Sequence, residues 1–162
     1  MKQVLIEITS AAGSTLAFGI IFNLKGKKLI FASIGGALGW TIYILFKSSN
    51  HSTAFSFFCS AIGITIYSEI IARLLKTPVT STLIASLIPL VPGSGIYFTM
   101  SYFIEGKNSE ALQSGINTFM LTFAITSGIV VVSTFSQIYY KFKRYRNIKQ
   151  KLKLRKRNIK FK

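Results

Sequence analysis

The sequence contains no aspartate, four glutamates, one histidine and one cysteine in 162 residues, and each shortage excludes a class of chemistry. The glutamates Glu7, Glu69, Glu105 and Glu110 are scattered, so paired-carboxylate catalysis has little to draw on. A histidine and cysteine metal centre needs three or four ligands, and His51 and Cys59 are the only residues of those types. A single cysteine forms no internal disulfide, and Cys59 reads as an ordinary residue of an apolar helix. No catalytic residue, metal or cofactor is expected, because an enzyme would need a nucleophile-base set or a metal cluster.

Half of the residues are hydrophobic, mean hydropathy is +0.47 and the net charge is +16. A strong basic excess is the usual footprint of phosphate binding. Its placement argues against nucleic acid as a partner here, since twelve of the twenty basic residues lie beyond Tyr140. The rest of the chain is sparsely charged, with long apolar stretches between the charges. A soluble domain keeps polar residues facing water throughout; this distribution belongs to a bilayer.

A helix crossing the hydrocarbon core needs about 20 predominantly apolar residues. Five such runs occur, at about Gln3–Phe22, Leu29–Phe46, Ala54–Ala72, Val79–Ile104 and Leu112–Phe135. The first is not read as a cleaved signal peptide, because Glu7 interrupts Val4 to Ile8 before a usual hydrophobic region forms. The expected fold is an all-α membrane protein, a bundle of about five transmembrane helices. It divides into a five-helix membrane domain, 1–138, and a basic cytoplasmic tail, 139–162.

The connections are short, so the positive-inside rule applies. One side carries Lys2, Lys47 and Lys107; the other carries Lys25, Lys27, Lys28, Arg73 and Lys76 with the twelve basic residues of the tail. That asymmetry predicts an outside N-terminus and a cytoplasmic C-terminus. In the tail, Phe142, Tyr145, Ile148, Leu152 and Ile159 form a helical stripe among basic residues. It reads either as a helix on anionic lipid, with Lys143, Arg144, Arg146 and Lys149 as lipid contacts, or as a solvated disordered segment.

Small residues recur within the runs, as in Ala11-Ala12-Gly13-Ser14, Gly35-Gly36-Ala37-Leu38-Gly39 and Ser60-Ala61-Ile62-Gly63. Apolar burial brings no gain in lipid, so such residues are read as sites of close helix packing. Gly35 with Gly39 has GxxxG spacing, which is weak on its own.

Ile88-Pro89-Leu90-Val91-Pro92-Gly93-Ser94-Gly95 is a sequence that no continuous helix would choose, so the fourth helix is expected to break there. Such a break serves either as a kink or as a half-helix end that binds substrate or ions. Pro89, Pro92, Gly93 and Gly95 are therefore substrate-path candidates. Glu69 and Arg73, four apart near the inner end of the third run, are either a structural ion pair or proton- or substrate-handling groups. Glu7 is placed at the interface near the outer end of the first helix. In the fifth run, Asn117 joins the candidates beside a stripe of Ser114, Thr118, Thr122 and Thr126, which packs a neighbouring helix or lines a path.

Ser68-Glu69-Ile70-Ile71-Ala72-Arg73 followed by Lys76, Pro78 and Thr80, then Ile88 to Tyr97 and Thr99-Met100, resembles the threonine/serine exporter family. The chain looks like the small subunit, equivalent to the C-terminal membrane half of the fused exporters. The likeness extends from the first helix to about Ser136. It implies a bacterial inner-membrane, proton-coupled exporter of small amino acids or of a dicarboxylate. It also implies a second membrane subunit with a cytoplasmic N-terminal domain and five helices, since that half is lacking here. The competing reading is a membrane anchor or scaffold whose basic tail binds lipid or nucleic acid; the broken fourth helix favours transport, and the long tail favours the scaffold.

Overall fold

A computed structural model of the protein describes residues 2–160, except for the side chains of Arg144 and of 147–160. The Arg144 and Lys149 lipid contacts, and the stripe positions Ile148, Leu152 and Ile159, thus lie outside the described side chains. All regular structure among the described residues is helical. The helices are α1 (Lys2–Ile21), α2 (Lys27–Ser48), α3 (Thr53–Leu74), α4 (Val79–Leu87), α5 (Gly93–Ile104) and α6 (Asn108–Lys160), with a 3-10 turn at Ile88–Leu90 between α4 and α5. Four are long and apolar enough to span a bilayer, and α4 with α5, bent by 54°, makes a fifth when the pair is counted as one span.

The short connections are built from helix-end chemistry. α1, α3 and α5 each end with a left-handed residue, Asn23 (φ 58°), Lys76 (φ 51°) and Gly106 (φ 74°). The next amide in each case reaches back five residues, Leu24 to Gly19, Thr77 to Ala72 and Lys107 to Tyr102, each 2.9 Å. This double-bonded stop satisfies carbonyls that a helix end would otherwise leave open. α3 begins with Ser52, whose hydroxyl accepts from the Phe55 amide at 3.3 Å. The α5–α6 connection carries an exposed Lys107–Glu105 pair at 2.8 Å, and that hydrogen bond holds the Glu105 carboxyl below its ordinary range.

α2 is the central element, packed against α1, α3 and α4. Its glycines Gly35, Gly36 and Gly39 are buried, and a Cβ on them would strike Ser86, Thr15 and Ile64 respectively. Hydroxyls bridge the seams so opened. Ser33 donates to the Ala12 carbonyl (3.0 Å), Ser60 to Gly39 (2.6 Å), Tyr67 to Phe31 (2.8 Å) and Ser86 to Ala32 (2.9 Å). Close packing and such interhelical bonds replace the hydrophobic gain missing in lipid. Tyr43, Phe57, Ile64, Leu83 and Leu90 fill the centre.

α6 packs on α3, from about Gly128 to Ser136, and on α5 near its start. Gly128 lets it close on α3: a Cβ there would lie 2.9 Å from the Phe58 carbonyl oxygen and 3.1 Å from the Ala61 Cβ. Backbone cannot yield as a side-chain end can, so Gly128→Ala should destabilise the chain by about 1–3 kcal/mol. A lowered midpoint of unfolding in detergent will register this. Gly13→Ala, with nothing within 4 Å of the new methyl, should leave the midpoint unchanged; equal midpoints for the two variants would show that α6 is not held against α3.

Candidate functional site at the helix break

The break in the fourth span follows from missing donors. Pro89 has no N–H to return to Ala85, and the Ile88 amide takes that carbonyl instead, tightening the turn. The Val91 amide bonds Ile88 at 3.1 Å and the Gly93 amide bonds Val91 at 2.7 Å. Gly93 is the helical donor for the Pro89 carbonyl, which is thereby left without one. α5 starts at Gly93 behind Pro92, and no side chain caps it. The Ile96 amide reaches Pro92 at 3.3 Å, leaving those of Ser94 and Gly95 free at an end that carries partial positive charge.

The two sides of this turn differ. Leu90 is fully buried and belongs to the central cluster, so the turn is anchored inward. Val91, Gly93 and Ser94 are exposed, and α5 has no buried residue. Gly95 is a packing position: a Cβ there would strike Thr118 of α6. Its carbonyl accepts from Thr99 at 2.7 Å and Ser114 at 3.3 Å.

The hydroxyl stripe of α6 therefore divides. Ser114 and Thr118 meet α5, whereas Thr122 and Thr126 are exposed and return their protons to the carbonyls of Thr118 and Thr122 at 2.9 and 2.7 Å, as hydroxyls do on helices in lipid. Asn117 is exposed and makes no side-chain hydrogen bond among the described residues.

Glu69 and Arg73 form a separate cluster at the end of α3. Arg73 pairs with the Glu69 carboxylate at 2.5 Å and also donates to the Glu69 carbonyl. It bonds Ser136 of α6 at 2.9 Å and lies 3.7 Å from the centre of the Tyr140 ring. The guanidinium, although exposed, thus ties α3 to α6. Of the tail candidates with described side chains, Lys143 and Arg146 are both exposed.

One residue at the break was not among the sequence candidates. Glu7 is half-buried, and its Oε2 accepts from the indole N–H of Trp40 at 3.3 Å. Both line a cavity of about 350 Å³ with Ser10, Ser14 and Pro89. Trp40 lies eight residues from the end of α2, about 12 Å at the helical rise. Glu7 thus shares a cavity with Pro89 of the helix break, and a neighbouring cavity joins it to Lys47 and Ser48 at the end of α2. An ionisable residue inside an apolar run is itself a signal of function; Glu7 was discounted because only the depth of its neighbours reveals its own.

A larger groove of about 1170 Å³ opens over α6 between α3 and α5, walled by Phe55, Phe58, Phe103, Phe119 and Phe123. It contains no ionisable side chain and suits contact with hydrocarbon.

The family described as Threonine/Serine exporter, ThrE, matches residues 7–135, about four fifths of the chain. No curated protein and no solved structure matches. The matched stretch runs from Glu7 in α1 to the residue preceding Ser136 in α6, and so takes in most of each helix before α6 and the break itself. The chain is a membrane protein of the threonine/serine exporter family.

Proposed function

We propose that the chain is one half of a two-component, proton-coupled exporter of small amino acids (threonine or serine) or of a dicarboxylate. It works in the bacterial inner membrane beside a second subunit with a cytoplasmic N-terminal domain and five helices. The observation that carries this reading is the helix break. The free Ser94 and Gly95 amides, with exposed Gly93 and Val91 around them, lie on the outside of this chain partway along a span. Unpaired backbone groups are tolerated at membrane depth only against protein or a water-filled cavity. A second subunit seated over α5, with water between, meets that requirement, and exposed Asn117 gives it a polar contact.

Five spans beginning outside and ending inside would remain if a ten-span exporter were divided after its fifth helix. The halves of such a protein run oppositely, and a shared site forms between them. In this arrangement Pro89, Pro92, Gly93 and Gly95 border the path, and Glu69 with Arg73 closes its cytoplasmic end. The membrane domain ends near residue 138 although α6 continues unbroken through that point. Tyr139 and Tyr140 would then sit at the interface as aromatic anchors, with the basic tail on anionic lipid.

The two subunits should copurify, and export of threonine, serine or a dicarboxylate should require both. This chain alone in liposomes, moving solute at the rate of the pair, would refute the half-transporter reading. Gly93→Leu probes the same surface. Nothing lies within 4 Å of a Cβ there, so the isolated chain should keep its stability while copurification and export fall at least tenfold; undiminished export would mean that the partner lies elsewhere.

The orientation is tested separately in a Cys59→Ser background. Cysteines introduced at Ser49 and Ser109 should react with an impermeant thiol reagent in intact cells, and one at Asn158 should not. The opposite pattern would invert the topology.

A further inference from the structure

We propose that Glu7, Trp40 and the Pro89 turn form a binding site for a primary ammonium group, that of a small amino-acid substrate. This deepens the exporter reading and rests on it.

The first ground is an uncompensated charge. The ion pairs among the described residues are Glu69–Arg73 and Glu105–Lys107, so Glu7 has no cation within pairing distance. Its one side-chain hydrogen bond comes from a neutral indole, at 3.3 Å and to one oxygen only. A half-buried carboxylate is costly without a counter-charge. It is therefore poised to take one.

The second ground is the chemistry of the cavity wall. The Trp40 N–H is already engaged by Glu7. Ser14 gives its proton to the Ala11 carbonyl at 3.0 Å, which leaves its oxygen only as an acceptor. Pro89 has no N–H, and its carbonyl lacks its helical donor. The polar groups of this largely apolar lining are thus acceptors apart from the free Ser10 hydroxyl, and with the Glu7 carboxylate among them they suit an ammonium with three N–H groups. A cavity of about 350 Å³ holds an amino acid of threonine size.

The third ground is a resident analogue. Lys47 lines an adjoining cavity together with Glu7 and Trp40, its ammonium 5.4 Å from the centre of the Tyr43 ring. A primary ammonium therefore already reaches this neighbourhood, held by an aromatic face. The Trp40 and Tyr43 rings, 5.1 Å apart, continue that surface toward Glu7. Lys47 and the substrate would compete for one carboxylate.

Trp40 is the only tryptophan in the chain, so its fluorescence reports on this site directly. The full chain in lipid nanodiscs should show a saturable change in emission with L-threonine and with L-threonine methyl ester, which keeps the ammonium. N-acetyl-L-threonine, which lacks it, should give none. Glu7→Gln should weaken the response at least tenfold at unchanged helix content, and Glu105→Gln should not alter it. Lys47→Gln should tighten binding several-fold by removing the competitor, and this arm stands even if Glu7→Gln fails to fold. An equal response to N-acetyl-L-threonine, a wild-type titration in Glu7→Gln, looser binding in Lys47→Gln, or no response to threonine would each overturn the proposal. If the subunit pair exports threonine while these titrations fail, only this site is refuted; if the titrations succeed and the pair moves no solute, the exporter reading fails and the site stands.

Discussion

Close approach at α2 is the constraint on which the remaining helices depend. Three glycines strip one face of side chains, and neighbours enter far enough for hydroxyls to reach main-chain carbonyls. Of the five interhelical hydroxyl-to-carbonyl bonds among the described residues, three end on α2 carbonyls, in a fourth an α2 serine donates to α1, and the fifth joins Ser114 of α6 to Gly95 of α5. Each of these hydroxyls would otherwise seek an acceptor within its own helix, as Thr122 and Thr126 do on the exposed side of α6. The seams gain directionality from these bonds, whereas Leu and Phe contacts in a bilayer only replace contacts with lipid. α2 is thereby fixed against α1 and α4 together, which brings Glu7 of α1 and Pro89 after α4 to one cavity.

The bent fourth span inherits this arrangement. α4 is tied to α2 through Ser86, and Leu90 is locked in the central cluster, so the break cannot drift. Beyond it, α5 leaves the cluster and rests on α6 through Gly95, Thr99 and Ser114. The first half of the span belongs to the bundle and the second half to its edge. A continuous helix could not serve both, because the 54° bend is what carries α5 away from α2 and α3.

Most of this architecture was legible in the sequence because the bilayer imposes a one-dimensional code. Runs of about 20 apolar residues, short charged gaps and two prolines in a row of small residues fix spans and break without reference to packing. The Gly35/Gly39 spacing was read as close packing, and both glycines are buried against neighbours. What spacing could not supply was which polar groups share a depth. Glu7 and Pro89 are eighty-two positions apart, and only the pairing of α1 with α2 brings them together. Likewise, the fifth run was read to Phe135, whereas α6 is a single helix from Asn108 to Lys160. Hydropathy marks where a helix leaves lipid, but helix continuity depends on local propensity, and the tail, rich in Lys and Arg and without Gly or Pro, has nothing to break it.

The break also separates two kinds of unsatisfied backbone, and their placement follows from the direction of the chain. Ending a helix leaves carbonyls open, while starting one leaves amides open. Around Pro89 the free groups are acceptors, on the side that meets α1 and its glutamate; at Ser94 and Gly95 they are donors, on the side that α5 turns outward. The acceptor side is lined by this chain, which supplies a carboxylate, serine oxygens and an aromatic wall. The donor side is open, with Gly93 and Ser94 exposed. A single bent span, reading N to C, thus presents acceptors to one side and donors to the other.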